Sequence, residues 1–396
     1  MKLVDSILAS QAEMTAIRRD LHAHPELRYE ETRTADIVAE RLRGWGIDVD
    51  RGLGKTGVVG TIRHGSGTGS IGLRADMDAL PMPEHNTFAH RSRHPGKMHA
   101  CGHDGHTTML LAAARHLVKH RRFDGTIHLI FQPAEEGGAG ARAMMDDGLF
   151  ERFPCDAVFG MHNWPGMKAG AFGVCAGPTM ASSNEFEITL TGRGTHAAMP
   201  HLGVDPVIVA THLVQALQTI VSRNVKPIDT AVLSVTQIHV GDAYNVVADE
   251  AVVRGTVRTF TDEVLDLVES RMREIVAQLP PVFGAAGVLN FRRNYPPLVN
   301  HAEQTAFCRT VAEDVVGADG VFAFEPTMGS EDFAFMLREK PGCYVMIGNG
   351  DGTHRDIGHG LGPCQLHNPS YDFNDELIPI GASYWVRLVE KFLPAR

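Results

Sequence analysis

Apolar residues recur at helical spacing at Met14, Ile17 and Leu21, and the pattern stops at His24-Pro25, where the proline disfavours helix in the residue before it. Thr34, Val38 and Leu42 predict a second helix that ends at Gly44. Two apolar runs, 58–62 and 71–75, flank the glycine- and serine-rich segment 65–69 and predict neighbouring strands. A helix is expected over 107–119, with Leu110, Ala113, Ala114 and Leu117 on its apolar side. Residues 126–131 and 157–161 read as buried strands. The first runs into Gln132-Pro133-Ala134-Glu135-Glu136, and the second is expected to end just before His162.

From about Ala181 the pattern changes. Alternation over 185–191 (Phe186, Ile188, Leu190) predicts a strand, 205–221 a helix, 230–240 and 251–260 two long strands, 264–279 a helix and 288–291 a last strand. That order, βαββαβ, is the ferredoxin-like arrangement, complete within about 110 residues. Beyond Pro296-Pro297 an α/β pattern resumes, with a helix over 304–315, a strand over 344–347 and a final helix carrying Ile380, Tyr384, Leu388 and Phe392. The fold class expected is α/β, with one domain formed by 1–181 and 297–396 and a second, 182–296, inserted into it.

The 396 residues allow such a two-domain chain. The formal net charge of −10 shows no basic stripe of the kind that binds phosphate backbones, so no nucleic-acid partner is expected. No run approaches the roughly 20 apolar residues of a membrane helix, and the first residues carry no leader-like apolar core, so no membrane partner is expected. Six scattered cysteines without a CxxC pair suit a reducing compartment, and a cytoplasmic location is the default.

The chemistry concentrates in His99-Ala100-Cys101-Gly102-His103-Asp104-Gly105-His106, a thiol, three imidazoles and a carboxylate in eight residues. A Cys-x-His pair suits a divalent transition ion better than calcium or magnesium. Metal-assisted hydrolysis needs about three protein ligands and a separate base. Candidates follow apolar strands: Asp76 and Asp78 after 71–75, Glu135 and Glu136 after 126–131, and His162 after 157–161. Open α/β sheets bind ligands at the carboxyl ends of their strands, so these groups are expected to converge. Cys101, His103, Glu136, His162 and His367 form a mixed S, N and O donor set for one or, better, two ions. Of the neighbouring Glu135 and Glu136, one can ligate while the other acts as base. Asp76 and Asp78 suit either ligation or the orientation of a ligating histidine, the second being favoured for Asp78. His196 lies in a glycine-rich turn where a histidine is ordinarily a surface residue.

Together the stretches RRDLHAHPEL, LRADMDALPM, HACGHDGHT, FQPAEEGGAGA, GMHNWP, GRGTHAAMPHLGVDP, GDAYNVVAD, GSEDFAFM and LHNPSYDFND resemble the amidohydrolase branch of the aminoacylase/carboxypeptidase metallopeptidase family. That branch contains hippurate hydrolases, N-acyl-amino-acid amidohydrolases and auxin-conjugate hydrolases. The resemblance implies metal ligation by Cys101, His103, Glu136, His162 and His367, with Cys101 between two ions, and Glu135 as general base. It places His196 near the oxyanion, sometimes of a partner subunit, and Asn245 near the substrate carboxylate. Related branches carry a metal-binding histidine where Asp76 stands, so this chain departs from the wider pattern there. The inserted domain is expected to act as a lid and dimerisation domain, hinged near Ala181 and Pro296, in a homodimer or higher homo-oligomer.

The activity expected is metal-dependent hydrolysis of an N-acyl amino acid, hippurate-like first, with acetylated amino acids, auxin conjugates and dipeptides in the same class. Zinc or manganese is expected, nickel and cobalt being alternatives. A non-catalytic metal-dependent binding protein is the competing reading, and a structural zinc protein a weaker one, because neither needs a spare carboxylate base.

Overall fold

The computed structural model describes residues 1–395, which form two compact units. The first comprises Met1–Gly177, Val299–Glu325 and Asp332–Arg396, and the second Pro178–Leu298 with Pro326–Glu331. Each has its own apolar core.

The first unit is built on an eight-stranded sheet. Its order is Asp48–Leu53, Gly57–His64, Gly125–Gln132, Ser70–Asp76, Ala157–Pro165, Gly342–Gly350, Phe172–Val174 and Val321–Ala323. The four middle strands Gly125–Gln132, Ser70–Asp76, Ala157–Pro165 and Gly342–Gly350 run parallel. They are almost wholly buried, which is why they read as continuous apolar runs rather than alternating ones. The helix His103–His120 is buried from His103 to Ala114 and packs against Leu377–Phe392, where Ile380, Tyr384 and Leu388 are buried as the spacing predicts.

One expected pairing is wrong. The strands containing 58–62 and 71–75 are not neighbours, because Gly125–Gln132 lies between them, antiparallel to one and parallel to the other. Segment 65–69 does not close a hairpin; it crosses the start of the intervening strand, where Gly67 N–H donates to Asp124 Oδ1 and Thr126 N–H to the Gly69 carbonyl. A Cβ at Gly65 or Gly67 would run into Asp124, so the glycines serve this crossing. The strand 157–161 also extends further than expected, to Pro165, so that His162 sits inside it rather than after its end. Strand Asp48–Leu53 escaped the pattern because, as an edge strand, it keeps polar residues and little burial.

In the second unit the strands Ser183–Thr191, Ala231–Val240, Glu250–Thr259 and Ala286–Tyr295, with helices Pro206–Thr219 and Asp262–Val282, follow the expected βαββαβ order. The antiparallel sheet runs Ala231–Val240, Glu250–Thr259, Ser183–Thr191, Ala286–Tyr295. Phe186, Ile188 and Leu190 all point into its core.

Candidate metal centre

Parallel register brings the chemistry to one edge of the first sheet. Asp76 pairs with Gln132, so the Asp76-Met77-Asp78 exit and the Pro133–Glu136 turn leave side by side. His162, on the strand beside Ser70–Asp76, pairs with Met346 on the strand beyond it. The Cys101 turn meets this edge at the helix start, with His103 already in the first turn.

Two triads of donor atoms form there, each with its atoms within 4.8 Å of one another: Cys101, His103 and His162, and Cys101, Glu136 and His367. Cys101 is common to both. A third group, His103, Glu135 and Glu136, sets Glu135 beside the same cluster.

The hydrogen bonds decide which ring nitrogens face inward. His162 Nδ1 lies 2.6 Å from the Asn163 carbonyl, which can only accept, so Nδ1 carries the proton and Nε2 faces Cys101 Sγ at 3.3 Å. His103 Nδ1 lies 3.2 Å from Asp78 Oδ1, while its buried Nε2 has no hydrogen-bond partner among the described residues. Asp78 also accepts from the Glu136 N–H at 2.9 Å, so one carboxylate orients a histidine of the first triad and the backbone of a glutamate of the second. His367 sits at a left-handed φ of 59°, held by its N–H to the Ala100 carbonyl at 2.8 Å, and Nε2 lies 3.3 Å from Glu136 Oε1.

Asp76, His103 and His106 also cluster, but His106 is engaged otherwise. Its Nε2 accepts from the Asn163 N–H at 2.9 Å, which places the proton on Nδ1, 2.6 Å from Asp76 Oδ1. Asp76 is further bound by Arg74 Nη1 at 2.7 Å. Asp76 Oδ2 also lies 3.7 Å from His103 Nε2. Asn163 completes the frame by donating to the Cys101 carbonyl at 2.6 Å and accepting from the Tyr371 hydroxyl at 2.8 Å. A Cβ at Gly102, where φ is 90°, would collide with Asn163 and Tyr371, which explains the glycine beside the thiol.

The donor chemistry fits divalent cations. Burial opposes charge on His103, yet Asp76 and Asp78 raise its pKa to about 10, so the field at its orphaned Nε2 favours the positive charge a cation brings. Burial and the nearby His106 push His162 well below the usual imidazole range, leaving it in the neutral ligating form. Burial, Glu136 and Glu135 push the Cys101 thiol well up, so its thiolate needs a cation beside it.

Behind the centre lies a buried charge network that sequence reasoning missed. Arg18 is fully buried and donates from Nε to Asp375 at 2.6 Å, from Nη1 to Asp372 at 3.0 Å and from Nη2 to the Phe373 carbonyl at 2.9 Å, with Asp104 at 3.5 Å. His22 meets two carboxylates, Asp104 at 2.8 Å and Glu84 at 3.2 Å, the pattern of an imidazolium. Helical spacing offered a signal, since Arg18 and His22 lie one turn apart on a face otherwise apolar.

His196 and Asn245 belong to the second unit. They are brought together locally: His196 pairs with Val246, and the Ala197 N–H donates to the Asn245 carbonyl at 3.0 Å. Both side chains are exposed, and His196 Nδ1 accepts from the Ala198 N–H at 3.1 Å, which leaves the ring proton on Nε2.

Residues 72–391 match the model of the peptidase family M20/M25/M40. A hippurate hydrolase from Campylobacter jejuni is 41% identical over 394 residues, covering 99% of this chain and 100% of that one. An N-acetyl-L-cysteine deacetylase from Bacillus subtilis is 40% identical, over 95% of this chain and 87% of its own. Among solved structures, the Bacillus subtilis YXEP protein, a dinuclear metal-binding peptidase, superposes with a TM-score of 0.84 at 31% identity, covering 98% of this chain and 99% of that one. With the family's pattern running through the sheet edge, the Cys101 turn and the final helix, this chain belongs to the M20 peptidase family.

Proposed function

We propose that this chain is a metal-dependent amidohydrolase that cleaves N-acyl amino acids to a carboxylic acid and a free amino acid, with hippurate-like substrates first. One observation carries the reading: a buried carboxylate, Glu135, stands within 4.8 Å of donor atoms of His103 and Glu136 without being needed by either triad. The 41% and 40% identical relatives, a hippurate hydrolase and an N-acetyl-L-cysteine deacetylase, support the substrate class. A binding protein would have no use for such a base.

Cys101, His103, Glu136, His162 and His367 would hold two divalent ions, zinc or manganese before nickel or cobalt, with Cys101 shared. Ions so held supply Lewis acidity, polarising the amide carbonyl and making water more acidic. Glu135 accepts the proton of the attacking water and returns it to the leaving nitrogen as the C–N bond breaks. Asp78 keeps His103 and Glu136 in register throughout. His196, with its Nε2–H donor, suits an oxyanion, and Asn245 a substrate carboxylate; both roles rest on motif and local geometry. The remaining parts of the proposal are residues 182–296 as a lid and dimerisation domain, a homo-oligomer, no nucleic-acid or membrane partner, and a cytoplasmic location. No helix among the described residues is long and apolar enough to cross a membrane.

The test is glycine release from benzoyl-glycine by zinc- or manganese-loaded protein, beside Glu135→Gln and a chelated sample. Turnover by the wild type with losses of about a hundredfold or more in both controls is the expected result. A fully metallated wild type that cleaves neither this substrate nor a panel of acetylated amino acids and dipeptides refutes the reading.

A further inference from the structure

The turn that carries Glu135 and Glu136 is not a conformation the chain adopts unaided. Ala134 and Ala139 both lie in the left-handed region, at φ 55° and 54°, Gly137 at 76°, and Glu136 at φ −69°, ψ 70°. Left-handed alanines persist only where their surroundings over-determine them.

Three residues of one short segment far upstream, Arg28, Tyr29 and Glu31, supply that restraint. The Arg28 guanidinium donates to the Glu136 carbonyl at 3.0 Å, and the Tyr29 hydroxyl donates to the Gly138 carbonyl at 2.6 Å. Glu31, fully buried, accepts the Ala134 N–H at Oε1, 2.8 Å away, and with the same oxygen the N–H of Tyr29 at 2.9 Å. Tyr29 is itself left-handed, at φ 64°. A single carboxylate oxygen thus ties together two strained residues, one on each side, while Oε2 is anchored by the Thr56 hydroxyl at 2.6 Å.

Glu31 occupies the N-cap of helix Thr32–Gly44, where a carboxylate ordinarily accepts from the helix's own first N–H groups, yet it makes no such bond. Glu26 does so instead, accepting from Arg33 N–H at 3.0 Å and Thr34 N–H at 2.8 Å. The cap is delegated, and Glu31 is turned across to the glutamate turn.

We propose that Arg28–Glu31 is a clamp that sets the geometry of the Glu135-Glu136 turn, with Glu31 as a positioning residue for both the base and the metal-ligating carboxylate. This rests on the function proposed above for the roles of Glu135 as base and Glu136 as metal ligand.

The test uses full-length Glu31→Ala and Glu31→Gln. Glutamine keeps a side-chain carbonyl for the two N–H groups; alanine keeps none. Zinc affinity is measured by competition with a chromophoric chelator, and kcat and KM on benzoyl-glycine. Expected for Glu31→Ala is a loss of about 10- to 100-fold in zinc affinity and a fall in kcat with KM changed by less than about threefold, Glu31→Gln restoring both to within about threefold. Alanine protein that binds zinc like the wild type, or glutamine protein as impaired as alanine, overturns the proposal. If the wild type hydrolyses nothing, the functional reading fails, and the zinc titration still decides the clamp. Should Glu31→Ala not fold, Arg28→Met combined with Tyr29→Phe removes the other two contacts. It is expected to weaken zinc binding in the same direction, and unchanged binding refutes the clamp.

Discussion

Replacing Arg18 by methionine isolates the network behind the metal centre. Its guanidinium faces Asp372, Asp375 and Asp104, Asp104 being fully buried and Asp372 nearly so. Methionine fills a similar volume but leaves these carboxylates without their cation, and breaking a buried ion pair from one side costs about 3–5 kcal/mol. His90, 3.3 Å from Asp372, and His22 on Asp104 compensate in part, so the lower half of that range is expected at pH 7. Arg18→Lys keeps a charge but not the fork that reaches Asp375, Asp372 and the Phe373 carbonyl at once, and should lose about half as much. The sign of the pH dependence follows. Burial opposes charge on Asp372, but Arg18 holds its carboxyl well below the ordinary range, so its contribution is present above pH 3.8 and lost as pH falls through the folded value. Without Arg18 the carboxylates relieve themselves by protonation, so the gap between wild type and Arg18→Met should narrow from pH 7 towards pH 4. Urea unfolding followed by tryptophan emission reads the relevant part of the molecule, since Trp45, Trp164 and Trp385, the three tryptophans, all lie in the first unit. A loss below about 1 kcal/mol at pH 7, or a gap that widens on acidification, would refute the reasoning.

Gly105→Ala should destabilise the first unit by about 3 kcal/mol or more, measured by the same emission, because a Cβ there would enter the buried ring of Phe373. His22 is opposed by burial, yet Asp104 and Glu84 raise it from 6.5 to about 10. Its stabilisation is therefore complete below pH 6.5 and lost as pH rises through about 10, and the stability gap between wild type and His22→Gln should shrink by on the order of 4 kcal/mol between pH 6.5 and 10. A gap independent of pH over that window contradicts the imidazolium assignment. Asp78→Asn, which weakens the bond to His103 and removes the acceptor for the Glu136 N–H, should lower zinc affinity about 10- to 100-fold in chelator competition, with the melting temperature little changed. Equal affinity would show that His103 and Glu136 are oriented by other groups.

Periodicity settles much of this protein without any structure. The helix beginning at the Cys101 turn, the apolar strands that run into Asp76 and Glu135, and the βαββαβ order between Ser183 and Tyr295 all follow from backbone spacing within a few residues, which is why they are legible one window at a time. Donor types are equally local: a Cys-x-His turn and adjacent glutamates declare their chemistry by composition. What the tertiary structure alone decided are the choices among equivalents. Strand order depended on a glycine segment crossing Asp124 rather than turning back on itself. His106, in the same histidine-rich stretch as His103, is engaged by one backbone N–H from Asn163, 57 residues away. Arg18 finds Asp372 across 354 positions and Glu31 finds Ala134 across 103, and nothing in either neighbourhood marks the partner. The physical reason is common to all of these. A buried charge or strained turn persists only where folding delivers its complement, and with 47 acidic residues to choose from, the sequence offers many complements while the packed sheet edge leaves room for one.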